Sequence, residues 1–208
     1  MSKTQENLMA AFAGESQANR KYLAFAAVAD KEGMPQVAKL FRAAAAAETI
    51  HAHAHLKNAG LIGSTEENLK AAIEGETYEF TKMYPEMIKE AEAEGNTAVA
   101  KYFDFANKVE EVHANLYKKA LADPKGLAGT DYYVCKVCGY THEGPCDSCP
   151  VCGGGAAGFF RGDDPGSLNH SARRAGLPPG IICDGACGFP PCAPSLFAGG
   201  TRPGRIAI

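Results

Sequence analysis

The chain has 208 residues, of which 46% are hydrophobic and 22% charged, with a formal net charge of −3. That balance fits a globular protein of one or two domains, argues against a polyanion such as nucleic acid as partner, and leaves no run near the roughly 18 apolar residues that a membrane span needs. The N-terminal MSKTQENLMAAF lacks the basic region and apolar block of a secretory signal, so a cytoplasmic location is expected.

In chain order, the first predicted helix covers residues 4–30, where Leu8, Phe12, Tyr22, Phe25 and Val28 recur at helical spacing. EGMP ends it, and Pro35 suits the first turn of a second helix over 35–58 that stops at NAG. Ser64 followed by Glu67 has the form of a capping box opening a third helix to about Glu94, with a kink expected at Pro85. GNT separates it from a fourth helix over 97–122. Residues 1–122 therefore read as an all-α four-helix bundle, 123–130 as a linker and 131–153 as a compact cysteine segment. Residues 154–208 change vocabulary: from 153 onward there are five Arg but no Lys or Glu, and stretches such as GLPPG and GFPPCAPS follow no period. This tail is expected to be irregular and without a packed core, as a frame-shifted or read-through end would be.

Chemistry concentrates in AETIHAHAHLK. Glu48 and His51 are neighbours on a helix at i,i+3, whereas His53 points about 140° away from Glu48 and His55 lies about 10 Å further along the axis. A lone ExxH is common, and a solvated pair is its ordinary reading. The fourth helix, however, repeats it in EEVHANLY with Glu110 and His113. The other two helices place Glu15 in FAGESQANRKY, and Glu76 and Glu79 in AAIEGETYEFTKMY, among apolar neighbours. One Glu from each of two helices plus ExxH from each of the other two is the donor set of a di-iron or di-manganese centre in a four-helix bundle. Without cations, so many buried carboxylates would be very costly.

All eight cysteines lie beyond residue 134, and paired CxxC motifs in a reducing compartment favour metal. CKVCGY and CPVCGG share a CxxCG form that CDSCP lacks, so Cys135, Cys138, Cys149 and Cys152 are assigned as ligands and Cys146 is left as an extra thiol. Four thiolates suit zinc as well as iron, and both stay open on this ground. Cys183, Cys187 and Cys192 with His170 match no metal-binding spacing.

Connectivity adds a constraint. Six residues, 59–64, join the second and third helices and span about 20 Å, short of the roughly 36 Å of a 24-residue helix. The third helix cannot return alongside the second in ferritin order within one chain.

FAGESQANRKY, LFRAAAAAETIHAHAHL, AAIEGETYEFTKMYPEMIKEAE and VEEVHANLY, followed by YYVCKVCGY and CPVCG, strongly resemble the rubrerythrin family over residues 1–153. The resemblance implies a ferritin-like bundle with a rubredoxin-like metal-knuckle β domain. Glu15, Glu48, His51, Glu76, Glu79, Glu110 and His113 fall on its di-iron ligand positions, and one iron is expected to move between Glu79 and His51 with redox state. Tyr22 and Tyr84 fall on tyrosines expected to hydrogen-bond ligand carboxylates. The implied activity is reduction of hydrogen peroxide to water, protecting against oxidative stress. Its cofactors are two iron ions in the bundle and one iron, with zinc as the alternative, at the cysteines. No GxGxxG follows a strand, so electrons are expected from a reduced pyridine nucleotide through an external reductase or rubredoxin. Some members exchange helix pairs between protomers, so a homodimer swapped between the second and third helices is expected. A ferritin-like iron-binding and iron-oxidising protein with a structural zinc ribbon is the competing reading. GGGAAGFF replaces the charged strand with which such proteins end, which puts the packing of the last strand in question.

Overall fold

A computed structural model describes residues 2–127 and 129–163. Helix α1, Lys3–Lys31, starts where the Ser2 hydroxyl accepts the Gln5 N–H at 3.2 Å. Helix α2, Pro35–Asn58, has proline in its first turn, where the missing N–H costs nothing. The two form a hairpin closed by small residues, with Ala26, Ala29, Ala38, Ala45 and Ala52 buried along it and Phe41 packed beside the first three.

The long third helix of the sequence reading is split. Helix α3, Thr65–Tyr78, opens with the complete capping box: Ser64 Oγ accepts the Glu67 N–H, and Glu67 Oε2 accepts the Ser64 N–H at 2.7 Å. A π-helical turn, Glu79–Met83, follows before α4, Tyr84–Ala93. The interruption thus begins upstream of Pro85. Tyr84 N–H reaches back five residues to the Glu79 carbonyl, and the widened turn takes up a proline ring that a regular helix would drive into the carbonyl of Thr81. Helix α5, Thr97–Ala122, packs against both α3 and α4 and buries Ala100, Val109 and Ala114.

Within one chain these helices form two pairs of layers, α1 on α2 and α3–α4 on α5, without extended packing between them. The largest fully buried side chain described is Val109, while Leu40 and Ile50 are 68% and 69% exposed. Phe25, Val28 and Val37 of the same hairpin are also exposed, so the hairpin presents several large apolar side chains that a further surface could cover. No described helix is long and apolar enough to cross a membrane.

The cysteine segment forms a three-stranded antiparallel sheet of order β2-β1-β3, with β1 at Tyr132–Cys135, β2 at Thr141–Glu143 and β3 at Phe159–Arg161. The last strand corrects the boundary at 153: Phe160 pairs with Val134 and Phe159 with Cys135, so the FF of GGGAAGFF closes the sheet. His170, Cys183, Cys187 and Cys192, with the rest of the tail from 164, lie outside the described residues.

Candidate metal centres

The helical hairpin brings Glu15, Glu48 and His51 together. His51 Nδ1 lies 2.8 Å from Glu48 Oε2 and 4.0 Å from Glu15 Oε1. The α3–α5 unit repeats the arrangement, with His113 Nδ1 at 2.7 Å from Glu110 Oε2 and 3.9 Å from Glu76 Oε1. In each set, three donor atoms lie within 4.8 Å of one another, close enough for one cation. The i,i+3 spacing accounts for the short contact, and helix packing supplies the third donor.

The surroundings of the second set show what crowding carboxylates costs. Burial, followed by the charge of Glu110 and a hydrogen bond to it, pushes the Glu76 carboxyl up to about 7. Glu79 is raised by burial and by Glu110, and His113 is raised by its hydrogen bond to Glu110 against the opposing effect of burial. Protons here partly take the place of positive charge. Mixed imidazole and carboxylate donors suit iron, manganese or zinc, so the residues present fit a divalent metal.

Glu79 stands at the start of the π turn, outside the tight trio but near enough for its charge to raise Glu76. Such single-turn widenings recur at functional sites. Tyr84 packs on Phe103 and faces the carboxylates: burial, then Glu110 and Glu79, raise its hydroxyl. Tyr22 packs between Phe25 and Phe41. Among the described residues, neither tyrosine hydroxyl hydrogen-bonds a ligand carboxylate, so in the single chain both stand as core aromatics. An open cleft of about 430 Å³ bounded by Leu69, Glu76, His113, Leu116, Tyr117 and Thr141 leads to the second set. Sequence reasoning missed Tyr117, whose hydroxyl is raised by burial and then by Glu76 and Glu110. It lies four residues after His113, on the same helical face, which is the signal that could have found it.

Cys135, Cys138, Cys149 and Cys152 converge, with Cys135 and Cys152 sulfurs 3.6 Å apart and those of Cys138 and Cys149 3.4 Å apart. The two knuckles are alike. In each, the glycine after the second cysteine has φ near +80°, +83° at Gly139 and +79° at Gly153, and donates its N–H to the carbonyl of the first at 2.9 Å. Pro150 occupies that place after Cys149 in CDSCP and cannot adopt positive φ. Cys146 accordingly stays outside the quartet, its thiol donating to the Ser148 carbonyl. Burial raises the Cys138 and Cys152 thiols, whereas Cys149, despite its burial, is lowered by the N–H groups of Cys152 and Val151. Four sulfurs at this spacing fit a tetrahedral metal.

Comparison with known proteins agrees with this division of the chain. The family model described as rubrerythrin matches residues 6–121, and that of the rubrerythrin rubredoxin-like domain matches 133–160. Over 164 residues the chain is 38% identical to nigerythrin of Nitratidesulfovibrio vulgaris, covering 72% of this chain and 81% of that protein. It is 39% identical over 171 residues to rubrerythrin of Porphyromonas gingivalis, covering 73% and 86%. Among solved structures, nigerythrin in a partially reduced state is similar at 36% identity, covering 77% of this chain and 87% of that one, with a TM-score of 0.48.

Proposed function

The chain belongs to the rubrerythrin family, and from that premise we propose that it is a peroxidase that reduces hydrogen peroxide to water in the cytoplasm. One peroxide, two electrons and two protons give two waters. The observation that carries the reading is the pair of matched three-donor sets, Glu15, Glu48, His51 and Glu76, Glu110, His113, joined by a four-cysteine site in one chain. The residues would hold two iron ions in the bundle and one at the cysteines, and the iron pair would supply the two electrons, one from each ion, that reductive O–O cleavage requires.

The chain's own groups handle protons and charge. Glu76, whose carboxyl lies near 7 without metal, would give up its proton to a cation, so metal loading at neutral pH should release protons from this set. Glu79, at the head of a π turn and outside the tight trio, is the carboxylate that would exchange between bound and unbound positions. The cysteine domain would receive electrons from an external reductase or rubredoxin and pass them on one at a time.

Each helical set has only three donors and lies on a different pair of layers. We infer a homodimer in which Glu15, Glu48 and His51 of one chain complete a site with Glu76, Glu79, Glu110 and His113 of a second copy. Exposed Leu40 and Ile50 supply apolar surface for it, each worth about 1.5–3 kcal/mol when covered. The short connection at 59–64 favours this exchange over a closed bundle within one chain.

The activity is tested anaerobically by adding one equivalent of peroxide to the reduced protein and following the visible absorbance of the cysteine-bound iron. Rapid return of ferric colour in the wild type but not in Glu48→Ala is expected. Equal rates in both proteins, or no colour at any stage, would remove the peroxidase reading in favour of an iron-binding bundle with a zinc ribbon.

A further inference from the structure

The cysteine domain lies along α5 in step with it. Gly139 faces Val109, its Cβ position 3.8 Å from Val109 Cγ1; Thr141 Oγ1 is 3.0 Å from His113 Nε2; and Lys119 Nζ reaches both carboxylate oxygens of Glu143 at 2.6 and 2.8 Å. Four residues of helix advance about 6 Å and two of strand about 6.6 Å, so 109 to 113 matches 139 to 141.

Proton bookkeeping gives the Thr141 contact a direction. A threonine hydroxyl has one hydrogen, and that of Thr141 is donated to the Gly139 carbonyl at 3.1 Å. Its lone pair therefore faces His113 Nε2, which must carry the hydrogen between them. Without metal, Nδ1–H donates to Glu110 Oε2 at 2.7 Å; a cation shared with Glu110 and Glu76 would take the place of that proton on Nδ1, while Nε2 keeps its own. Anchoring the far N–H of a metal-binding histidine fixes its tautomer and ring orientation. Among the described residues, His51 Nε2 has no such anchor.

We propose that Thr141 is a positioning residue for the helical metal centre: its hydroxyl accepts from His113 Nε2–H, holding Nδ1 in the ligand position, so that docking of the cysteine domain tightens the α3–α5 set around its metal. By linkage, metal on His113 strengthens that docking in return. The inference rests on the reading of the helical clusters as metal sites.

The test uses the full chain with zinc in the cysteine site, titrated with Mn(II) while free Mn(II) is counted by electron paramagnetic resonance. Mn(II) prefers the N/O donors of the helices over thiolates. Thr141→Val keeps the shape and removes the acceptor, and is expected to weaken Mn(II) binding by about 10-fold or more. Thr141→Ser restores the acceptor and should stay within about threefold of wild type, as should Lys119→Ala, which breaks the neighbouring docking contact only. Thr141→Val binding like wild type would overturn the proposal. So would a Lys119→Ala loss equal to that of Thr141→Val, because the effect would then be docking and not the hydroxyl. Failure of the wild type to bind Mn(II) would instead overturn the metal reading, and the proposal with it.

Discussion

The hairpin α1–α2 and the unit α3–α5 present the same three donors at nearly the same distances, 2.8 and 4.0 Å in one and 2.7 and 3.9 Å in the other. Their surroundings differ. His51 keeps 54% of its side chain exposed, against 26% for His113, which also has the cysteine domain on its far nitrogen. The α3–α5 unit has a further carboxylate on a widened turn and a carboxyl pushed to about 7. One half is thus a more enclosed pocket with the four-cysteine domain as its neighbour, and the other is a simpler clasp. Donor geometry can thus be duplicated by local spacing, whereas tuning needs tertiary neighbours.

The largest effects are expected at the histidines. His113→Ala and His51→Ala each remove a proposed ligand, and each is expected to lower iron retention after dialysis by more than about 100-fold. Full retention in either variant would mean that its cluster is not a metal site. Next in size is the surface that the hairpin leaves open. Leu40→Asp should raise the dimer dissociation constant about 10- to 100-fold in sedimentation, from an apolar contribution of about 1.5–3 kcal/mol. A wild type that stays monomeric would end the exchanged arrangement.

Smaller effects are expected at the helix cap and at Glu76. Helix α3 starts with its own capping box, while α2 enters through Met34 without a side-chain cap. Ser64→Ala should therefore cost about 1 kcal/mol in urea unfolding. In the metal-free protein, Glu76 has a folded pKa of about 7, above its ordinary 4.5. Its contribution to stability is present below about pH 4.5 and is lost as pH rises through about 7. Glu76→Gln removes that dependence, so its urea midpoint should gain on the wild type between about pH 5 and about pH 8. A constant gap would show that the carboxyl is not shifted.

Much of this was legible because local signals were strong. Helix α5 runs over the residues expected of it, Ser64 and Glu67 cap α3 reciprocally, and the repeated CxxCG form separates Cys149 and Cys152 from Cys146. The π turn was not legible: a proline announces an interruption, but whether the helix widens or bends depends on how α4 packs on α5. Strand β3 was missed because three residues with glycine-rich neighbours carry no period, and pairing with β1 is what makes them a strand. The meeting of Thr141 with His113 spans 28 residues and two domains, and no spacing rule reaches that far.

In the proposed dimer a working centre takes its two three-donor sets from two chains. This exchange is tested most directly by complementation. One chain carries Glu48→Ala and His51→Ala, another carries Glu110→Ala and His113→Ala, and the mixed dimer is isolated through a different tag on each. In the exchanged dimer one centre collects all four altered positions and the other collects none, so peroxide reduction should return to about half of the wild-type rate per dimer. If each centre were built within a single chain, both would be damaged. A mixed dimer as inactive as either parent would mean that the centres are not exchanged between chains.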